Sequence, residues 1–124
     1  MDSPIDAAYA VSSLAQVHQR LGKNELAEEQ ARKAVELLDG REDLIDEIGN
    51  AQLVLGRALL EQGRLDEAEE VFKLAEASFA SLSSASHNAA VWVAQGDLAA
   101  HRGDDRSAAR LYRSAALALQ DFRF

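Results

Sequence analysis

Three glycines, Gly22, Gly63 and Gly103, stand 41 and 40 residues apart in this chain, and each opens the same small pattern. Ala27, Ala68 and Ala108 follow five residues later, and Ala34, Ala75 and Ala115 seven further on. A large residue, Leu38, Phe79 or Leu119, comes four beyond that. A unit of this length that keeps its small and large positions is one supersecondary element, able to bury its apolar side only by stacking on its neighbours. Composition makes that element helical, since 24 of 124 residues are alanine and the single proline is Pro4. Alanine is the best helix former and proline the worst.

Each unit reads as two helices around its glycine. Ser3 is placed to cap the first helix, with Pro4 at the first helical position and Asp6 able to bond back to the cap. Gly22 closes that helix in a left-handed conformation. Asn24 is expected to cap the second helix, which runs to about Leu38 before "DGRED" breaks it. Asp43 is expected to start the third, with Asp46 in its first turn favoured by the helix dipole, and Gly63 to end it.

The fourth helix is the most regular. Leu65, Ala68, Phe72, Ala75, Phe79 and Leu82 step by three and four along one apolar stripe, while Asp66, Glu67, Glu69, Glu70, Lys73 and Glu76 occupy the other faces. The serine-rich "SLSSASH" (81–87) supplies the next break, with Ser84 or Ser86 as cap. A fifth helix to about Arg102 and a sixth from about Asp105 to Gln120 complete the chain. The expected fold is all-α: one domain over 1–124, in three hairpins over about 4–40, 43–82 and 84–122, stacked as a short right-handed superhelix.

Gly56, in "GRALLEQGRLDEAEEVF" (56–72), interrupts a strong helix. Glycine in a helix interior costs about 1 kcal/mol relative to alanine. A phosphate-binding loop would place its glycines ahead of a helix, whereas Gly56 has helix on both sides. It aligns with Gly96 and Ala15, so these small residues are expected to let the two helices of a hairpin approach closely beside Ala68 and Ala75. Gly63 recurs in every unit and is expected to hold a positive φ.

These residues resemble the tetratricopeptide repeat, a helix–turn–helix unit of about 34 residues. The middle unit supplies Leu55-Gly56, Leu59, Gly63, Ala68, Phe72 and Ala75, and the third supplies Trp92, Gly96, Ala99, Gly103, Ala108, Tyr112 and Ala115. The first is weaker, with Val11, Leu14, Ala15, His18, Gly22, Ala27, Ala31 and Ala34. The family's proline near the end of the second helix is missing, and the period is longer than the family norm. Both departures fit helices extended past their usual stop. HEAT-type repeats have a period nearer 40, but the Gly–Ala–aromatic–Ala register argues against them. The segment from Ser84 to Phe124 also looks like the C-terminal end of actinobacterial helix-turn-helix regulators.

Chemistry is sparse. The absence of cysteine excludes disulfides and thiol catalysis. His18, His87 and His101 do not form ligand pairs, and His18 falls in the family's aromatic slot. The clusters "EDLIDE" and "DEAEE" lie at helix starts, where the dipole favours carboxylates, and "GDD" (103–105) is a turn and cap without the Lys-Ser/Thr of a nucleotide loop. No enzyme, cofactor or metal site is expected. Residues 1–80 carry a net charge of −9 and residues 81–124 one more base than acid, which makes −8 for the chain. Such a domain is not expected to contact nucleic acid by itself. No apolar run approaches the roughly 18 residues of a membrane span, and no signal-peptide pattern opens the chain, so a cytoplasmic protein is expected.

The resemblance implies a non-catalytic domain that binds protein or peptide in a groove lined by the first helix of each hairpin. By family position the liners are Ser12, Gln16, Gln19, Asn50, Leu53, Arg57, Leu60, Val93, Asp97 and Ala100, with Arg57 and Asp97 in equivalent places and able to pair. The family's carboxylate-clamp positions hold Ser12, Gln16, Val54, Ala90 and Ala94, so a clamp is not implied. A second surface is expected on the last helix, where Arg106, Arg110, Leu111, Arg113, Ala118, Phe122 and Phe124 could meet a partner or a second copy as a homodimer. The setting implied is the regulatory or dimerisation region of a bacterial transcription regulator, with a free-standing adaptor for complex assembly as the alternative.

Overall fold

The glycine turns set the architecture. Gly22, Gly63 and Gly103 have φ of +79°, +77° and +79°, and each closes its helix with the same pair of backbone bonds. The N–H of Lys23, Arg64 or Asp104 reaches five residues back to His18, Leu59 or Ala99 at 2.8, 3.0 and 2.9 Å. The glycine N–H reaches three back, to Gln19, Leu60 or Ala100. This Schellman closure satisfies the orphaned carbonyls and turns the chain through a hairpin.

The computed structural model describes residues 3–120. Helices α1 (Pro4–Arg20) and α2 (Asn24–Leu37) form the first hairpin, α3 (Ile45–Glu61) and α4 (Leu65–Phe79) the second, and α5 (Ala85–His101) and α6 (Asp105–Gln120) the third. A single 3-10 turn, Glu42–Leu44, precedes α3. No strand occurs among the described residues. Each hairpin packs its own two helices together, and α2 against α3 and α4 against α5 join the hairpins in series.

Capping follows the sequence in part. Ser3 and Asp6 form the reciprocal box, and Ser84 rather than Ser86 caps α5 by accepting from the His87 N–H. Two expectations fail. Lys23 is the cap residue of α2, and Asn24 already lies inside the helix, with its Oδ1 buried and unpartnered. Asp43 sits in the 3-10 turn, held by Arg41 at 2.8 Å, and α3 begins without a side-chain cap.

The core runs through the middle hairpin. Val54, Leu55, Leu59 and Leu60 of α3 pack with Ala68 and Phe72 of α4, reaching Ala15 and Ala31 on one side and Ala94 and Leu98 on the other. The α4 stripe behaves as its periodicity demands: Ala68, Phe72, Ala75 and Phe79 are fully buried. Opposite it, Gly56 gives the Phe72 ring its space, since a Cβ there would lie 2.3 Å from Phe72 Cε1. Gly49, unremarked in the sequence, does the same for Phe79, and Gly96 for Tyr112. The close approach expected at Gly56 is therefore made against an aromatic ring.

Side-chain bonds lock the stack at the turns. Glu28 of α2 accepts from Gln62 at 3.0 Å and from Arg64 at 2.7 Å, both in the next hairpin's turn. One repeat on, Arg102 donates to Glu69 at 2.8 Å and to Asp66 at 2.6 Å. Partial burial works against the Glu28 carboxylate, but bonds from Gln62, Arg32 and Arg64 outweigh it and hold its pKa below the usual 4.5.

The two glycine classes predict different losses. Gly56→Leu should overpack the hairpin by about 1–3 kcal/mol. Gly63→Ala meets no atom within 4 Å and should lose about 1 kcal/mol through the left-handed backbone alone. Denaturant titration of both variants, with Phe72→Leu added to each, separates them: only the Gly56 variant should recover part of its loss. Glu28→Gln should lose about 1–2 kcal/mol at neutral pH. Because the fold keeps Glu28 ionised, its contribution is present above pH 4.5 and fades as pH falls below it. Titrations at successive pH values should therefore show wild type and variant converging in acid.

Candidate functional site: the concave face

The first helices of the hairpins, α1, α3 and α5, carry the inner face. Residues at i, i+3 and i+4 on one helix share a side, so Gln16, Gln19 and Arg20 of α1 face Asn50, Leu53, Val54 and Arg57 of α3. Together they line a hollow of about 220 Å³. Three side-chain amides and two guanidiniums supply donors and acceptors, while Leu53 and Val54 supply the apolar floor. That mixture suits an extended chain, whose peptide groups both donate and accept and whose side chains alternate.

Five of the ten groove residues read from the sequence, Gln16, Gln19, Asn50, Leu53 and Arg57, therefore meet at one place. Val93 and Asp97 continue the face as half-buried residues of α5, and Ala100 is exposed beyond them. Two placements are corrected. Ser12 is only 6% exposed, and Leu60 is 2% exposed, packed in the core with residues of all three hairpins. Neither lines an accessible surface. Arg20 was missed, although its place one helical turn after Gln16 is the signal that could have found it.

Arg57 and Asp97 do pair, at 3.0 Å between α3 and α5. Asp97 uses its other oxygen to accept from the Tyr112 hydroxyl at 2.5 Å. Gly96 lets the Tyr112 ring lie against α5, where a Cβ would stand 2.6 Å from the ring. One carboxylate thus joins three helices from two hairpins. The hydrogen bond to Asp97, then burial and the Asp97 charge, raise the Tyr112 pKa above 10.0, with Arg57 opposing. One turn before Asn50, burial and then neighbouring Asp46 raise the Glu47 carboxyl against the pull of His87.

The remaining candidate chemistry is structural. His18 bonds Gln30 of α2 through Nδ1 at 2.7 Å, His87 lies against the Phe79 ring and bonds Ser84, and His101 bonds the Asp97 carbonyl. Among the described residues no three His, Cys, Asp or Glu side chains gather as a metal site. No described helix is long and apolar enough to cross a membrane. On α6, Arg106, Arg110 and Arg113 are exposed, and Leu111 and Ala118 are half-buried. Phe122 and Phe124 lie outside the described residues.

Titration of the tyrosines checks the Asp97 junction. Tyr112 should ionise late in the wild type, and Asp97→Asn should bring it back toward 10.0. The same bond stabilises the fold below pH 10 and is lost as pH rises past the shifted value. An absorbance titration that Asp97→Asn leaves unchanged refutes it.

The tetratricopeptide repeat family matches residues 6–81, which span the first two hairpins. No curated protein matches the chain. The crystal structure of the TPR domain of Arabidopsis FLU superposes with a TM-score of 0.83 at 22% identity, covering 96% of this chain and 99% of that one. This coverage takes in the third hairpin, and at such identity the likeness concerns the fold. With the family pattern, the hairpin series and the inner face in agreement, the chain belongs to the tetratricopeptide repeat family.

Proposed function

We propose that the concave face holds an extended segment of a partner protein, and that the chain is the regulatory region of a bacterial transcription regulator whose DNA-reading domain is separate. The observation that carries the binding role is the hollow between α1 and α3, where Gln16, Gln19 and Asn50 present amides beside Arg20 and Arg57 over Leu53 and Val54. Amide side chains in that position can pair with the backbone of an incoming strand without demanding a particular sequence. Such domains generally mediate protein–protein interaction and are generally non-catalytic.

The regulator setting rests on the likeness of residues 84–124 to the C-terminal ends of helix-turn-helix regulators, and on charge. A chain of net −8 repels nucleic acid, so DNA contact would have to come from another domain. A cytoplasmic location follows from that setting.

Capture from a lysate of the native host tests both parts. Proteins retained by the wild type should be lost from the Gln16→Ala, Asn50→Ala variant, whose circular dichroism should be unchanged. Retention of the same proteins by that variant removes the groove from the mechanism. A reading frame without a helix-turn-helix domain would favour the adaptor role instead.

A further inference from the structure

Residues of α6 correspond to those 40 positions earlier on α4, and they are covered very differently. Phe72 and Phe79 of α4 are fully buried beneath Ala94, Leu98 and Val91 of α5. Their counterparts Tyr112 and Leu119 are 37% and 46% exposed. No further helix among the described residues covers them. Ala109 and Ala116 are exposed on the same side. An apolar helix face of this kind is a docking surface.

Charge says what fits there. At each internal junction the arriving hairpin brings a donor to an acid: Gln62 and Arg64 to Glu28, then Arg102 to Asp66 and Glu69. The α6 counterparts of Asp66 and Glu69 are Arg106 and Ala109, and Lys73 is matched by Arg113. The receiving surface has changed sign. Among the described residues the ion pairs engage other cations, leaving Arg106, Arg110 and Arg113 unpaired. Asp104, the α6 cap, is an acid held low by its Ser107 bonds and, more weakly, by Arg110 and Arg106.

A second copy fits poorly. Stacked head to tail, it would bring Leu21, the counterpart of Arg102, onto Arg106 and Ala109, and Lys23, the counterpart of Arg64, onto Ala109. Lys23 would arrive with no carboxylate to meet it, and the hydrogen-bonded lock would have no acceptor. A two-fold pair crossing near the middle of α6 would place Arg113 against its own copy.

We propose that the exposed end of the third hairpin docks an acidic amphipathic helix of a separate protein, its apolar stripe over Tyr112, Ala116 and Leu119 and its carboxylates against Arg106 and Arg113. The helix takes the place that the first helix of a fourth hairpin would occupy.

Two labelled helical peptides with one Leu/Ala stripe, flanked by Glu in one and by Lys in the other, test this by fluorescence anisotropy on the whole chain. The Glu peptide should bind at least ~10-fold more tightly, an advantage that shrinks as salt screens the pairs. Arg106→Glu with Arg113→Glu, both exposed, should reverse the order while leaving circular dichroism unchanged. Asn50→Ala, on the concave face, should leave the order as it is. Equal affinities, no binding of either peptide, or an order indifferent to the arginine reversal would overturn the proposal. Sedimentation showing a dimer that Leu119→Asp abolishes would also overturn it, by assigning this face to a second copy.

Discussion

The close contact between the two helices of a hairpin is the constraint on which the rest depends. In the middle hairpin an aromatic ring of α4 lies where α3 has no side chain, twice over: Phe72 against Gly56 and Phe79 against Gly49. The third hairpin repeats the arrangement once, with Tyr112 against Gly96. The first instead places two small residues, Ala15 and Ala31, at the equivalent positions. Either combination leaves room for neighbouring backbones, but only a glycine–ring pair puts a large apolar surface between them. Burying such a ring outweighs the intrinsic penalty of glycine in a helix, since full burial of a phenylalanine is worth about 1.5–3 kcal/mol against about 1 kcal/mol.

Stacking hairpins is a second problem, answered with polar groups at the turns. Exposed ion pairs contribute little singly, and Asp66 with Arg102 is of that kind. Glu28 is different, because it is largely enclosed and accepts from two residues of the following turn. Leaving such an acceptor empty is more damaging than its filled bonds are stabilising. The turn glycine fixes where Gln62 and Arg64 project, so backbone geometry within one hairpin determines the register of the next.

The periodic features were legible because each depends on its own segment. The Ser3–Pro4–Asp6 start, the left-handed glycines and the α4 stripe need no knowledge of distant contacts. Asn24 and Asp43 misled because good capping residues stand one or two places from the helix starts that packing selects. Ser12 and Leu60 misled for another reason. In a stacked array, the same position is buried or open according to which hairpin lies beyond it, and periodicity does not encode that neighbour. Arg57 and Asp97 could be paired in advance because equivalent residues of successive units lie side by side, whereas Asp97's second bond, to Tyr112, required the geometry of Gly96.

That second bond makes the inner face and the outer end parts of one structure. Arg57 borders the hollow, pairs with Asp97, and through it is linked to Tyr112 on the exposed face of the third hairpin. Truncating Arg57 would remove a groove cation and free an acceptor that steadies α6, so its effect on binding would mix two causes. Asn50 lines the same hollow but, among the described residues, has no side-chain bond to another hairpin. Its amide can be removed without touching the junction. Loss of a partner on truncating Asn50 therefore speaks for contact in the groove, while loss on truncating Arg57 alone is equally explained by a shift of the third hairpin.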